Sequence, residues 1–516
     1  TIVEELNIYI DNNGFHINCI QDCVSSYFTL RSDIMDIMQY LLIPITEPML
    51  SVLVAIGVFV GIYVGAIPGL SGTMAVSLLV SFTFGWETNS AISLMMGIFS
   101  GAVYGGSRSA ILLNIPGAPA AVATSFDGYP LAQKGLAGET IGVATISSVL
   151  GGFLGCIALA FLAPLVSSIA LKFAPRDFLL LAFMGMMLVS SLGSKSLARA
   201  LVTAAIGVLL GTVGMDPISA YPRFTFGSTN LLTGVDYITA MIGLFGVSEA
   251  LMQIRDLDIK AVKQKIDRIV PSFLSIKKNF PLTIRSSILG IIVGALPGAG
   301  GDIAALLAYD QAKRTVRHPE TPFGKGAVEG VIAPETANNA AIGGAFIPML
   351  TLGIPGDAIT AVMIGALLIH GLQPGPMLMQ ETPHLFYLIV STLAISNVFL
   401  LIFGLAGIKI FTKLVEIPKG RLLPIIIILS VISTYAVNNS LTDILWMVGF
   451  GILGYFFKVY DYPVAPTVLG IILADLIENN YRRAVISAGS ILKLVGGIFT
   501  SPLSMILLGI IIFSFV

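Results

Sequence analysis

Three charged residues in apolar sequence, Arg108, Asp302 and Asp357, are the side chains best placed to do chemistry in this chain. Each comes within two residues of a glycine. Charged groups in such sequence are costly to bury, so they are functional candidates by default. The Arg108 guanidinium could hold a carboxylate through two parallel hydrogen bonds, and either Asp carboxylate could ligate a small cation. The sequence therefore predicts a site for an anion, a cation or both.

Each candidate also has a structural interpretation. Arg108 could form a structural ion pair or extend to the membrane surface. Asp302 follows a glycine turn, where a carboxylate commonly caps a helix N-terminus, and we favour capping there; Asp357 could cap in the same manner. Two acids and two amides later in the chain could form a gate or proton relay, or could again be helix caps: Glu329, Glu335, Asn338 and Asn339.

The composition identifies the medium in which these residues act. Of the 516 residues, 55% are hydrophobic and 11% are charged, whereas soluble domains carry about 25% charged residues. The mean hydropathy is +0.91. Apolar segments long enough to cross a bilayer of roughly 30 Å as helices recur along the chain. The sequence therefore predicts a polytopic membrane protein. His16, Cys19 and Cys23 have a loosely metal-like spacing without a fourth ligand, and we expect no metal site there.

A glycine and proline cluster occurs twice in this apolar sequence. The stretch 61–72, GIYVGAIPGLSG, is matched by the stretch 290–301, GIIVGALPGAGG. The second cluster lies between basic segments at 255–285 and 313–325, and both segments should be cytoplasmic by the positive-inside rule. A re-entrant hairpin with short arms of about 11 to 14 residues satisfies both flanks. Irregular backbone at membrane depth has to line a cavity or protein, so we expect each tip to line a site.

A second matched pair supports a repeat. Asn114-Ile115-Pro116-Gly117 and Gly353-Ile354-Pro355-Gly356 each interrupt a long apolar stretch, which predicts two broken transmembrane helices. The flanks of the first hairpin hold acids and no Lys or Arg, and five crossings separate the hairpins, so the copies should be inverted. Basic residues that this topology places outside, Arg223 and Arg482 among them, are exceptions to the positive-inside rule.

The predicted fold is therefore an all-α polytopic membrane protein with two inverted-topology repeats, re-entrant hairpins and broken helices. Two hairpin tips and two unwound helices near the midplane form the binding site of many secondary transporters. The predicted segments begin with an amphipathic N-terminal extension at 1–44. The first repeat, at 45–254, contains hairpin 50–86 and broken helix 91–126. A basic cytoplasmic linker at 255–285 joins it to the second repeat, at 286–516, which contains hairpin 286–312 and broken helix 331–372.

The same pattern predicts which residues meet the transported species. Freed amides at half-helix N-termini suit an anion, and freed carbonyls suit a small cation. Residues predicted to bind the substrate are Pro68, Gly69, Ser71, Gly72, Ser107, Arg108, Asn114, Pro116, Gly117, Pro297, Gly298, Gly300, Gly301, Pro355 and Gly356. Residues predicted to bind a coupling ion are Asp302, Glu335, Asn338, Asn339 and Asp357. No cofactor is expected, and Na⁺ and H⁺ both remain candidates for the coupling ion.

Other function classes find less support. The sequence has no phosphate-binding GxxxxGK[ST] loop and no nucleophile with an evident base, so we expect neither an ATP-driven pump nor an enzyme. Nothing in the composition suggests nucleic acid as a partner. An anion channel is the main alternative, because glycine-rich re-entrant loops also build selectivity filters.

Eight short motifs, taken in order, resemble the large membrane subunit of tripartite tricarboxylate transporters, the TctA-like proteins. The resemblance runs from about residue 45 to the end, and Arg108 and Asp302 depart from it, since the family usually has small polar residues there. The motifs are Tyr104-Gly105-Gly106-Ser107, Leu113-Asn114 with Pro116-Gly117, Asp127-Gly128-Tyr129-Pro130, Arg223-Phe224-Thr225-Phe226-Gly227, Ile242-Gly243-Leu244-Phe245 with Glu249, Gly324-Lys325-Gly326, Ala333-Pro334-Glu335 with Asn338-Asn339, and Gly371-Leu372-Gln373-Pro374-Gly375-Pro376.

The resemblance implies a multi-pass carrier of the bacterial inner membrane that imports citrate or a related carboxylate with an ion gradient. It also implies two protein partners, a small membrane subunit (TctB-like) and a periplasmic solute-binding protein (TctC-like) that delivers the substrate. A carrier that moves its site against a fixed scaffold leads us to expect a homodimer in the lipid bilayer.

Overall fold

The computed structural model describes residues 35–67, 70–192, 196–216, 221–254, 269, 271, 273–407 and 419–513. These residues are predominantly helical. The predicted all-α fold class is confirmed, with one short antiparallel strand pair, Gly214–Met215 with Pro222–Arg223, among the described residues. The His16, Cys19 and Cys23 group, most of the predicted N-terminal extension, and Pro68 and Gly69 of the first tip lie outside the described residues.

Short breaks divide the chain into many helices. In chain order they are α1 (35–46), α2 (Pro48–Ala66), α3 (Gly72–Phe82), α4 (Thr88–Leu113), α5 (Ala121–Leu131), a π-helical turn (Ala132–Leu136), α6 (Ala137–Ala170), α7 (Pro175–Leu192), α8 (Leu197–Gly211), a 3₁₀ turn (Thr229–Leu231), α9 (Tyr237–Met241), a second π-helical turn (Ile242–Val247), α10 (Ser248–Gln253), α11 (Phe273–Gly294), α12 (Gly300–Thr315), α13 (Glu329–Leu352), α14 (Ala358–Ile369), α15 (Leu378–Glu381), α16 (Pro383–Ala406), α17 (Lys419–Asn438), α18 (Leu441–Val459), α19 (Ala465–Ala488), α20 (Ile491–Thr500) and α21 (Pro502–Phe513).

Several helices are long and apolar enough to cross a membrane. Within the described residues there are four such stretches, or five when a helix pair bent by 92° is counted as one. One of them bends at Gly135, whose φ is 85°. These lengths and compositions fit a polytopic membrane protein. The stretches are Pro48–Ala66, Ala121–Ala170, Pro383–Ala406 and Leu441–Val459, with Ala465–Ala488 and Ile491–Thr500 as the bent pair.

The first arm of the second predicted hairpin is longer than the predicted 11 to 14 residues, and the corresponding arm of the first hairpin is also long. The helix α2 has 19 residues and α11 has 22. The second helix starts at Phe273, inside the predicted linker, because a helix can continue past the hydrocarbon into water, where Lys277 and Lys278 are exposed. Since α2 alone is long enough to cross a bilayer, the re-entrant path stays a prediction.

Glycines bring α2 and α4 into close contact, and the same contacts occur between α11 and α13. A Cβ at Gly65 would overlap the Ala102 carbonyl, and one at Gly294 would overlap the Ala341 carbonyl. Small residues let neighbouring membrane helices approach to backbone contact. Three further pairs of contacts match in the same way: Gly61 on Ile98 with Gly290 on Ala337, Gly105 on Ile62 with Gly344 on Ile291, and Gly117 on Gly65 with Gly356 on Gly294.

The two arginines that are exceptions to the positive-inside rule share one ion-pair network. Arg223 donates to both carboxylate oxygens of Glu478, at 2.8 and 3.0 Å. Arg482 donates to the same carboxylate at 2.7 Å and also pairs with Asp216. The network joins the segment that carries the strand pair to α19, which gives both arginines a structural role.

Candidate functional site

A cavity of about 340 Å³ lies where the two repeated clusters meet. Its wall includes the segments that start four helices, namely α3, α5, α12 and α14. Helix N-termini carry partial positive charge, so these four starts attract negative groups, among them the carboxylates of Asp302 and Asp357. The corresponding lining segments are Ser71–Thr73, Ala118–Ala120, Gly298–Asp302 and Asp357–Ile359.

Left-handed glycine conformations and close packing shape the tip of the second cluster. Gly298 and Gly300 have φ of 81° and 55°, in the left-handed region that favours glycine. The Gly298 amide donates to the Gly356 carbonyl at 2.8 Å. A Cβ at Gly300 would lie 2.7 Å from the Cβ of Asp357. This tip is therefore fixed directly against the break between α13 and α14.

Both predicted coupling-ion aspartates line the cavity, and both also cap a helix. The Asp302 carboxylate accepts a hydrogen bond from the Ala120 amide at 3.0 Å, at the start of α5. It thus caps a helix of the other cluster, whereas the sequence favoured capping of its own helix. The Asp357 carboxylate accepts from the Thr360 amide at 2.7 Å and completes a capping box.

The amide and acid residues of α13 divide between the cavity and a buried polar cluster. Asn338 lines the cavity and donates to the Val103 carbonyl at 3.4 Å. Glu335 is buried, and its carboxylate accepts hydrogen bonds from the hydroxyls of Thr124 at 2.5 Å and Ser148 at 2.9 Å. Glu335 therefore holds α13 to α5 and α6 and is not a lining residue of the cavity.

Arg108 is buried away from the cavity wall. It is 2% exposed, and its guanidinium donates to the Gly404 carbonyl at 2.7 Å and to the Phe403 carbonyl at 3.4 Å. It also lies over the Tyr104 ring, 5.2 Å from the ring centre. Both carbonyls belong to the C-terminal end of α16, where the helix dipole favours a cation, and the Phe403 carbonyl also accepts from the Gly407 amide at 2.9 Å. The contacts fit a structural role for Arg108.

The predicted residues thus separate into those that line the cavity and those that do not. Eight of the described ones line it: Ser71, Gly72, Gly298, Gly300, Gly301, Asp302, Asn338 and Asp357. The others lie in the packing behind the wall or in the interrupted segments: Ser107, Arg108, Asn114, Pro116, Gly117, Pro297, Glu335, Asn339, Pro355 and Gly356.

Sequence reasoning missed one pair of lining residues, Glu249 and Lys458. The Lys458 ammonium donates to the Glu249 carboxylate at 2.5 Å, and both side chains are about one fifth exposed, at 23% and 22%. Glu249 falls in one of the family motifs, but no motif marked Lys458, which looks like an ordinary basic residue near the end of an apolar segment.

The charge of the cavity wall is negative. Among the described lining residues, Glu249, Asp302 and Asp357 carry carboxylates, and Lys458 is the one basic side chain. The formal net charge with all four ionised is therefore −2. Within the described part of the chain, no group of three or more His, Cys, Asp and Glu residues is arranged to hold a metal ion, so a cation here would also need backbone carbonyls.

A larger cavity, of about 850 Å³, lies beside the strand pair. It is lined by loop residues between 211 and 237 and by polar residues near the start of α18, such as Asn438 and Asp443. None of the predicted site residues lines it. We therefore assign the candidate site to the smaller cavity, where both clusters meet.

The apolar helices of membrane-spanning length define a multi-pass membrane protein. The model of the Tripartite tricarboxylate transporter TctA family matches residues 52–469, and the chain belongs to that family. A member of this family is one component of a three-part transporter of tricarboxylates, so protein partners and a carboxylate substrate are implied.

Two relatives come from Agrobacterium vitis. The "Uncharacterized 52.8 kDa protein in TAR-I ttuC' 3'region" is 37% identical over 449 residues, which cover 86% of this chain and 88% of the relative. The "Uncharacterized protein in TAR-II ttuC' 3'region" is 39% identical over 222 residues, which cover 43% of this chain and 90% of the relative. No solved structure matches the chain.

Proposed function

We propose that this chain is the carrier subunit of an ion-coupled importer, which takes up citrate or a related carboxylate across the bacterial inner membrane by alternating access. The observation that carries the proposal is the cavity in which both repeated clusters and four helix starts meet. A secondary transporter binds its substrate at such broken helices. In this proposal the carboxylate binds in the cavity, against the helix starts.

The charge of the wall supports ion coupling. A wall with three carboxylates and one ammonium repels a carboxylate substrate as long as all of its acids are ionised. A bound Na⁺, or protonation of Asp302 or Asp357, would remove part of that repulsion. The coupling ion and the substrate would then each favour the binding of the other, which is the reciprocal linkage that cotransport needs.

The matched glycine contacts support two repeats. Gly65 in α2 and Gly294 in α11 meet equivalent carbonyls of α4 and α13, and Gly117 and Gly356 lie against Gly65 and Gly294 in the same way. With the odd number of crossings predicted between them, the copies would have opposite orientations in the membrane. In this mechanism the two clusters move together with the substrate against the remaining helices, as a homodimer would allow.

The partners complete the proposal. We infer a small TctB-like membrane subunit, and a TctC-like periplasmic binding protein that delivers the carboxylate and determines much of the specificity. The test is uptake of radiolabelled citrate into proteoliposomes that contain this chain and the small subunit, with and without the binding protein, under an imposed Na⁺ or H⁺ gradient.

Saturable uptake that needs both the binding protein and one gradient supports the carrier and identifies its ion. Flux that needs neither supports the anion channel and contradicts the proposal. A matched panel of dicarboxylates and tricarboxylates, tested under the same gradients, identifies the substrate class. Absence of saturable uptake for every member of the panel would reject a carboxylate carrier.

A further inference from the structure

We propose that Lys458 is the residue that binds a carboxylate group of the substrate, and that Glu249 is its counter-ion in the empty cavity. This inference rests on the proposed carboxylate transport and adds its principal charged contact. The substrate carboxylate takes the place of the Glu249 carboxylate on the Lys458 ammonium. No motif in the sequence assigns this role to either residue.

The geometry places both residues where a substrate can reach them. Glu249 lies on α10 and Lys458 in the last turn of α18, and both line the cavity that contains the two tips. Their side chains are 22% and 23% exposed. An ammonium has three donors, so Lys458 can hold Glu249 and an incoming carboxylate together during the exchange.

The charge of the wall gives Lys458 its importance. It is the one basic side chain among the described lining residues, against three carboxylates. Without it, no side chain of the described wall would offer a positive charge to a carboxylate substrate. Arg108, the cation that the sequence favoured, is 2% exposed and donates to carbonyls of α16.

Glu249 has two effects on the exchange: it neutralises Lys458, and it competes with the substrate. A partly buried ammonium without a partner is costly, and Glu249 lowers that cost in the absence of substrate. The same carboxylate competes with the substrate for Lys458. Removing Glu249 should therefore strengthen substrate binding, whereas removing Lys458 should weaken it. This opposite sign separates a binding role from a purely structural ion pair, whose two partners would have the same effect.

The experiment measures the apparent KM and the maximal rate of citrate uptake by the complete transporter in proteoliposomes, together with the thermal unfolding of each purified variant. We expect Lys458→Gln to raise KM about 10- to 100-fold, because the loss of a hydrogen bond to a charged group weakens binding by about that factor. Lys458→Arg should stay within a few-fold of the wild type, and Glu249→Gln should lower KM about two- to five-fold.

A charge swap tests the structural alternative directly. The double variant Glu249→Lys with Lys458→Glu restores an ion pair between α10 and α18 but moves the ammonium to the other helix. We expect it to recover thermal stability without recovering KM. Matched controls are Lys278→Gln and Glu320→Gln, which break an ion pair of 2.8 Å whose side chains are 55% and 81% exposed. Both controls should leave KM unchanged.

Three results would overturn the inference: an unchanged KM in Lys458→Gln, an equal rise of KM in Glu249→Gln, or recovery of KM by the swap. If Lys458→Gln fails to fold, the sign of the KM change in Glu249→Gln still decides between a binding role and a structural ion pair. A wild-type transporter that takes up no member of the carboxylate panel would instead reject the proposed function, which separates that failure from an error about Lys458.

Discussion

The two clusters have the same backbone contacts but different polar groups. Gly65 in α2 and Gly294 in α11 meet equivalent alanine carbonyls, and Asn114 and Gly353 both end a helix in the left-handed region. Position by position, however, Asp302 corresponds to Thr73 and Asp357 to Ala118, while Arg108 corresponds to Ile347 and Asn338 to Phe99. Both members of the first two pairs line the cavity.

The difference indicates a division of tasks. The shared glycines fix how closely the helices pack, and close packing has little tolerance for side chains. Such positions must be alike wherever the geometry is alike. The polar positions of the wall are free to differ, and both aspartates come from the second copy. The first copy supplies the backbone amide of Ala120, which donates a hydrogen bond to Asp302.

The largest expected effect is at Asp302. We expect Asp302→Asn to lower ion-dependent uptake about 10- to 100-fold, because it removes a charged ligand but keeps an acceptor for the Ala120 amide. The matched variant in the first copy, Thr73→Val, should stay within about two-fold. Initial rates at several ion concentrations check this. Equal losses in both variants would contradict a division of tasks between the copies.

A stability effect without a binding effect is expected at Arg108. Arg108→Gln removes hydrogen bonds from a cation to two carbonyls of α16, and we expect a loss of about 1.5 to 3 kcal/mol. The folded fraction of Arg108→Gln should have the same apparent KM as the wild type. Thermal unfolding in detergent, measured together with uptake kinetics, separates a loss of stability from a loss of substrate binding. A large rise in KM at full stability would restore Arg108 as a substrate ligand.

The shared contacts predict similar losses in both copies. Gly65→Ala and Gly294→Ala each place a Cβ against a backbone carbonyl, and overpacking of this kind costs about 1 to 3 kcal/mol. Gly449→Ala is the control, since nothing lies within 4 Å of the added Cβ. Size-exclusion chromatography after extraction measures the folded fraction of each variant, which is compared with that of the control. Tolerance of the change in one copy alone would argue against equivalent packing.

The smallest effect separates capping from ion binding at Asp357. Asp357→Ala should cost about 1 kcal/mol through the lost cap. Asp357→Ser keeps a capping oxygen for the Thr360 amide and should change stability by only a few tenths of a kcal/mol. If Asp357 also binds the coupling ion, both variants raise the ion concentration that gives half-maximal uptake. An unchanged ion dependence in the serine variant would leave capping as its role.

Several features could be read from the sequence because they depend on local chemistry. The apolar segments predicted a polytopic helical protein, and the breaks at Pro116-Gly117 and Pro355-Gly356 were found where helices end. The family was recognised from short motifs and is confirmed by the family match. The length of α11 was underestimated, because charged residues such as Lys277 and Lys278 can belong to a helix that extends into water.

The positions of individual charged side chains could not be read in this way. Arg108 and Lys458 both look like isolated cations near apolar sequence, yet one is held by carbonyls of α16 and the other lies in the cavity wall. Their partners are 295 or 296 positions away for Arg108 and 209 for Lys458. No local pattern encodes such a separation.

The sequence alone thus determined the medium, the helical class, the repeated clusters and the family, since each depends on composition or on residues close together in the chain. Only the tertiary structure decided which side chains share the cavity. Helix packing at backbone distance, fixed by glycines such as Gly65 and Gly294, brings Asp302 to the Ala120 amide and Lys458 to Glu249. Such contacts arise from long-range packing, which a linear pattern does not specify.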